Sequence, residues 1–168
     1  MTGFRNRLQF DAARGEYRDG AIRYMMLRHD ALMGLFARLP EAERLAALDA
    51  LGASVREFGG RSVESYRAAG ADDAARMMDT IAATAPELGW GIWRFSREGE
   101  ALVLAVENSP FAAGIGTSAH PVCHAIVGML TALGPILLGK PASVEETQCA
   151  AVAGGSTCRF RMQATVGN

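Results

Sequence analysis

Three cysteines, Cys123, Cys149 and Cys158, fall in the C-terminal part of the chain, and Glu146 lies three residues before the second of them. Thiolates and a carboxylate form a donor set suited to tetrahedral zinc. Four protein ligands would leave no open position, which makes such a site structural. None of these cysteines has the tight C-x-x-C spacing, so spacing alone leaves a second reading open. Free cysteine is among the most buried residue types, and the three could simply be small core side chains. Placed in the first turn of a helix, Cys123 would have its thiolate favoured by the helix dipole. On a regular strand Glu146 and Cys149 would face opposite sides, so a shared site requires a bulge or a strand end between them.

Other constellations are weaker. His120 and His124 flank Cys123, but neighbours in a helical turn point in different directions, and no third orienting group is apparent. Gly114-Ile115-Gly116-Thr117-Ser118-Ala119 fits G-x-G-x-x-A, yet it does not directly follow a strand, and the next acidic residue is Glu145. Trp90, Trp93, Phe95 and Phe111, with Met77 and Met78, could line an apolar pocket or form plain core. Of these, Trp90, Trp93 and Phe111 are the candidate ligand contacts. No residue is assigned a catalytic role.

The elements that must position these groups can be read from periodicity. Residues 1–20 are polar, with turns at Gly15 and Gly20. A short extended entry over Ile22–Met26 leads into a helix that stops at Pro40. Glu41–Ala69 carries the longest helical repeat, and Gly59-Gly60 in its middle either breaks it or admits a close backbone. Gly70 suits a C-terminal cap and Asp72 or Asp73 an N-cap for a further helix over about 73–83. Gly89–Ser96 and Ala101–Glu107 read as a hairpin. After a loop, an apolar helix begins at about Pro121 and is kinked or ended by Pro135. Residues 142–151 and 157–164 form a second hairpin about Gly154-Gly155. The expected fold class is α/β (α+β), an antiparallel sheet of two hairpins packed with several helices. One domain is expected over 1–168, with a mainly helical part over 1–88 and a hairpin–helix–hairpin part over 89–168.

Composition narrows the function. Of the 168 residues 49% are hydrophobic, and 17 basic against 18 acidic side chains give a net charge of -1, which argues against disorder and against a nucleic-acid partner. The longest apolar helical stretch, 125–139, falls short of the roughly 20 residues needed to span a bilayer. The opening MTGFRNRLQF has no apolar core of a secretory leader, so a cytoplasmic protein is expected.

From about Asn108 to Met162 the sequence resembles the 4-vinyl reductase (4VR) domain family. The resemblance rests on NSPFAAG, HPVCHAIVGMLTALGPILLGK, VEETQC and GGSTCRFRM. That family includes BchJ-like proteins of bacteriochlorophyll biosynthesis, hydrocarbon-binding proteins and the sensor domains of phenol-responsive activators, and it shares its fold with small TRAPP subunits. The resemblance implies a structural zinc held by Cys123, Glu146, Cys149 and Cys158, with Glu145 as the alternative carboxylate if the strand register differs. It also implies a stand-alone binding module for a small hydrophobic molecule, whether a tetrapyrrole, an aromatic or a lipid, and a homodimer. Two alternatives remain: a 4-vinyl reductase-type enzyme or accessory subunit of bacteriochlorophyll biosynthesis, and a scaffold or chaperone subunit that delivers substrate to a partner enzyme. The reading favours a non-enzyme, because no nicotinamide or flavin motif accompanies the thiols.

Overall fold

The computed structural model describes residues 3–68 and 70–165. After one turn of helix, α1 (Phe4–Arg7), come three short strands, β1 (Gln9–Asp11), β2 (Glu16–Asp19) and β3 (Ile22–Tyr24), paired antiparallel in that order. Gly15 and Gly20 turn the chain as expected, with φ of 64° and 61°. The first two strands were not expected. Strands of three or four residues show too little alternation to read. This sheet is held by contacts between elements: Phe10 lies against Tyr17, Phe4 meets Tyr24 edge-on, and Arg7 pairs with Asp19. The part read as mainly helical therefore also carries a small sheet.

Helix α2 (His29–Ala37) stops before Pro40, and α3 (Glu41–Ala68) follows. Gly59 and Gly60 do not break α3. A Cβ on Gly59 would lie 2.8 Å from Met129 Cε, so that glycine admits a close neighbour. Gly70, at φ 103°, closes the helix: its N–H donates to Arg67 O, and Ala71 N–H donates to Tyr66 O. Ala69, where the helical repeat was read to end, lies outside the described residues.

Helix α4 (Ala74–Glu87) begins at Asp73, whose carboxylate accepts from Arg76 N at 2.8 Å. It runs past the expected end and takes Pro86 into its last turn, where the chain closes through Trp90 N–H to Ala85 O and Gly89 at φ 78°. Removing an N-cap carboxylate orphans a backbone donor, so Asp73→Ala is expected to lower stability by about 1 kcal/mol in urea denaturation.

The C-terminal part supplies β4 (Ile92–Glu98), β5 (Ala101–Glu107), α5 (Pro110–Ile115), α6 (His124–Leu137), β6 (Ala142–Gln148), α7 (Ala150–Ala153) and β7 (Thr157–Ala164). Two hairpins join into one antiparallel sheet in the order β4-β5-β7-β6. The fold is thus mixed α and β, with the sheet of two hairpins that the patterning predicted. Trp93 pairs with Val106, Val106 with Cys158 and Leu104 with Phe160, so these side chains share the inner face. Helix α6 packs on β6 and β7, α4 on β4, and α3 along α6. The outer face is a charged ladder in which Glu98 binds Arg159 and Arg161, and Arg94 binds Glu107. Antiparallel sheets commonly keep one face wet in this way.

Three boundaries differ from the sequence reading. The loop after Asn108 contains α5, with Pro110 opening it. Gly114 lies inside α5, where a Cβ would meet His29 O at 2.6 Å; this glycine serves α2–α5 packing rather than a dinucleotide loop. Helix α6 begins at His124, so Cys123 is its N-cap, and it runs two residues past Pro135. Among the described residues no helix is long and apolar enough to cross a membrane.

Candidate metal centre and apolar cavity

Each donor of the Cys/Glu set is placed by a different device. Cys123 sits where the chain turns into α6. Cys158 lies on the inner face of β7, opposite Val106. Glu146 shares that face from β6, since it pairs with Phe160, whereas Glu145 pairs with Arg161 on the outer face. The register then shifts between Glu146 and Gln148, and Cys149 caps the single turn α7. This irregularity lets Glu146 and Cys149 face one point, as a shared site requires.

The four ligand atoms lie within 4.8 Å of one another. Cys123 Sγ and Cys158 Sγ are 3.7 Å apart. Two sulfurs at zinc-bond length on adjacent corners of a tetrahedron stand about 3.8 Å apart, whereas a disulfide holds its sulfurs at about 2.05 Å. All three thiols are free and buried. Glu146 Oε2 accepts from Cys123 N at 2.9 Å, but its buried Oε1 finds no partner among the described residues. An orphaned carboxylate oxygen among sulfurs is what a cation would satisfy, so the residues fit a metal of the zinc class.

The electrostatics point the same way. Burial, then the neighbouring Cys149, pushes Glu146 up to about 8. Hydrogen bonds from the Cys123 and Cys149 thiols draw Cys158 down to about 4. Cys123 is driven far above the thiol range by its hydrogen bonds to Cys149 and Cys158 and by burial. Four acidic donors in one dry space resist sharing more than about one negative charge, and a divalent cation would remove that conflict. Two further groups face the sulfurs: Ala150 N–H donates to Cys158 Sγ at 3.3 Å, and Ser109 Oγ lies 3.2 Å from Cys123 Sγ.

The histidines are engaged elsewhere. His120 Nε2 meets Glu41 at 3.0 Å and His124 Nδ1 meets Asp49 at 2.9 Å, so each ties the start of α6 to α3.

A second feature lies further along α6. Tyr66, Ile81, Thr84, Leu88, Met129 and the two tryptophans surround an apolar cavity of about 30 Å³. Both Trp90 and Trp93 line it, as the sequence suggested. Phe111 does not; it backs Trp90 edge-on with ring centroids 5.3 Å apart. The hydroxyls of Tyr66 and Thr84 hydrogen-bond, and burial raises the Tyr66 phenol above its ordinary pKa. Sequence reading missed Tyr66, Thr84 and Met129 as lining residues, because each looks like an ordinary helix position. A larger groove of about 500 Å³ beside β4 is open and carries Asp79, Arg94 and Arg97, which suits water better than an apolar guest.

The family model of the 4-vinyl reductase domain (4VR, also written V-4-R) matches residues 102–164, the segment that holds all four donors. No curated protein matches the sequence. The fold is similar to the phenol-responsive sensory domain of the transcription activator PoxR, crystallised with phenol, at TM-score 0.78 and 20% identity over 95% of this chain and 86% of that one. It is also similar to a vinyl-4-reductase family protein from Methanocaldococcus jannaschii, at TM-score 0.53 and 12% identity over 87% of this chain and 100% of that one. A third similar structure is a trafficking protein particle complex subunit 3 from Naegleria fowleri covalently bound to palmitic acid, at TM-score 0.58 and 11% identity over 82% of this chain and 95% of that one. At these identities the shared property is the fold. Through the segment that brings three thiols and a carboxylate together, the chain belongs to the 4VR domain family.

Proposed function

We propose that the chain is a binding module for a small aromatic molecule, and that a zinc ion held by Cys123, Glu146, Cys149 and Cys158 braces it. The observation that carries the binding reading is the buried cavity between α3, α4, α6 and β4, walled by two tryptophans and offering one paired set of hydroxyls. Such a lining suits an apolar ring with a single polar substituent. At about 30 Å³ the cavity is far below the roughly 300–1,000 Å³ of ordinary ligand pockets. A one-ring guest enters if Met129, whose side chain is flexible, and half-buried Trp90 give way. A tetrapyrrole would require the helices to part. The similarity to a phenol-responsive sensory domain supports the same class of ligand. The zinc reading is supported by the convergence of four donors and the orphaned Glu146 oxygen. With four protein ligands the ion would be structural.

The two tryptophans that line the cavity are the only two in the chain, so intrinsic fluorescence reports directly on it. Titration of the full chain with phenol is expected to give a saturable change, with palmitate and haem giving weaker responses or none. Saturation by haem alone would replace this reading with a tetrapyrrole one, and no response to any of the three would remove it. Elemental analysis is expected to find about one zinc per chain, as four donors of this kind imply.

A further inference from the structure

We propose that Ser109 is a positioning residue of the metal centre: its hydroxyl donates to the Cys123 sulfur of the loaded site and ties the start of α5 to it. The proposal rests on the zinc reading above.

Ser109 occupies the N-cap of α5, where a serine hydroxyl normally accepts a hydrogen bond from the first turn. Here it makes no capping bond. The side chain is instead buried, 2% exposed, and its Oγ lies 3.2 Å from Cys123 Sγ. The backbone enforces this aim. Asn108, at the end of β5, takes φ of 58°, in the left-handed region, while its N–H donates to Ser156 O beside β7. Gly91 makes room for that turn, since a Cβ there would fall 2.4 Å from Glu107 O. Pro110 then fixes the first helical position.

A sulfur bound to a metal has no proton and can only accept, so the hydroxyl must be the donor. Its hydrogen bond draws charge from the thiolate and holds its direction, as outer groups do for metal ligands generally. Ala150 N–H plays the corresponding part for Cys158 but belongs to the backbone. Ser109 is a side chain and can be substituted. Two residues on, Phe111 packs against Trp90 at the cavity wall, so this short strap joins the ion to the ligand's surroundings.

The test uses Co²⁺ in the full chain, because sulfur-to-cobalt charge transfer reports on the thiolates. In Ser109→Ala the band is expected to move to longer wavelength, as the sulfur regains charge. Affinity, read by competition with a chromophoric chelator, is expected to fall about 10–100-fold. Ser109→Thr, which keeps the hydroxyl, is expected to restore the band position. If the alanine chain does not fold, Ser109→Cys supplies an isosteric, weaker donor, and its band should fall on the long-wavelength side of the unsubstituted protein. An unshifted band and unchanged affinity in the variant that folds would overturn the role of Ser109 while leaving the centre intact. No thiolate-to-cobalt band in the unsubstituted chain would overturn the metal reading, and this proposal with it.

Discussion

Cys158→Ser is expected to lose the metal and to melt about 8–16 °C below the unsubstituted chain. Cys158 is fully buried on the inner face of β7, between β5 and β6, and its sulfur stands 3.7 Å from that of Cys123. A serine oxygen is a poor zinc donor, and three ligands would hold the ion too weakly to bridge α6, β6 and β7. Binding to the folded state alone stabilises it by about 4 kcal/mol when free metal stands a thousandfold above its dissociation constant. For a chain of this size each kcal/mol is worth about 2–4 °C. The check is differential scanning calorimetry with and without a strong chelator. Chelation should bring the unsubstituted protein down close to the variant and leave the variant unmoved. A melting point indifferent to chelator in both proteins would show that the four donors hold nothing that matters to folding.

The C-terminal part was legible because its signals are long and mutually consistent. The hairpin over Ile92–Glu107 has seven-residue strands around Gly99, and Leu102, Leu104 and Val106 point inward together. The need for an irregularity between Glu146 and Cys149 followed from strand geometry alone, and the register shift at Glu146/Gln148 supplies it. Which glutamate faces the sulfurs was not decidable from sequence. It depends on Glu146 pairing with Phe160 rather than with an outward residue, a fact of register. Short elements were lost for a different reason. Helix α5 has six residues and the N-terminal strands three or four, so neither shows a full period, and both are fixed by tertiary contacts. The cavity was partly legible through its aromatic residues. Tyr66, Thr84 and Met129 come from three helices, and no local pattern marks residues that meet only by leaving a gap.

Gly128→Ala is expected to destabilise the chain by about 1–3 kcal/mol, whereas Gly60→Ala, on the helix packed against α6, should stabilise it by about 0.5–1 kcal/mol. A Cβ on Gly128 would lie 2.0 Å from Gly52 O, and one on Gly52 would lie 2.8 Å from His124 O. Both obstacles are backbone, so no side chain can swing aside, and α3 and α6 would have to separate. Around Gly60 a Cβ meets nothing within 4 Å, so alanine there only lowers the entropy of the unfolded chain. The pair makes a signed comparison in urea denaturation, and equal effects of like sign would contradict the crossing described here. The functional consequence follows from position. Cys123 stands six residues before Met129 on the same stretch of chain, about 9 Å along a helix axis. Displacing α6 from α3 therefore moves the first thiol and the cavity wall together. Gly128→Ala should weaken metal binding and blunt the fluorescence response to phenol in one substitution, although it touches neither group, while Gly60→Ala should leave both unchanged.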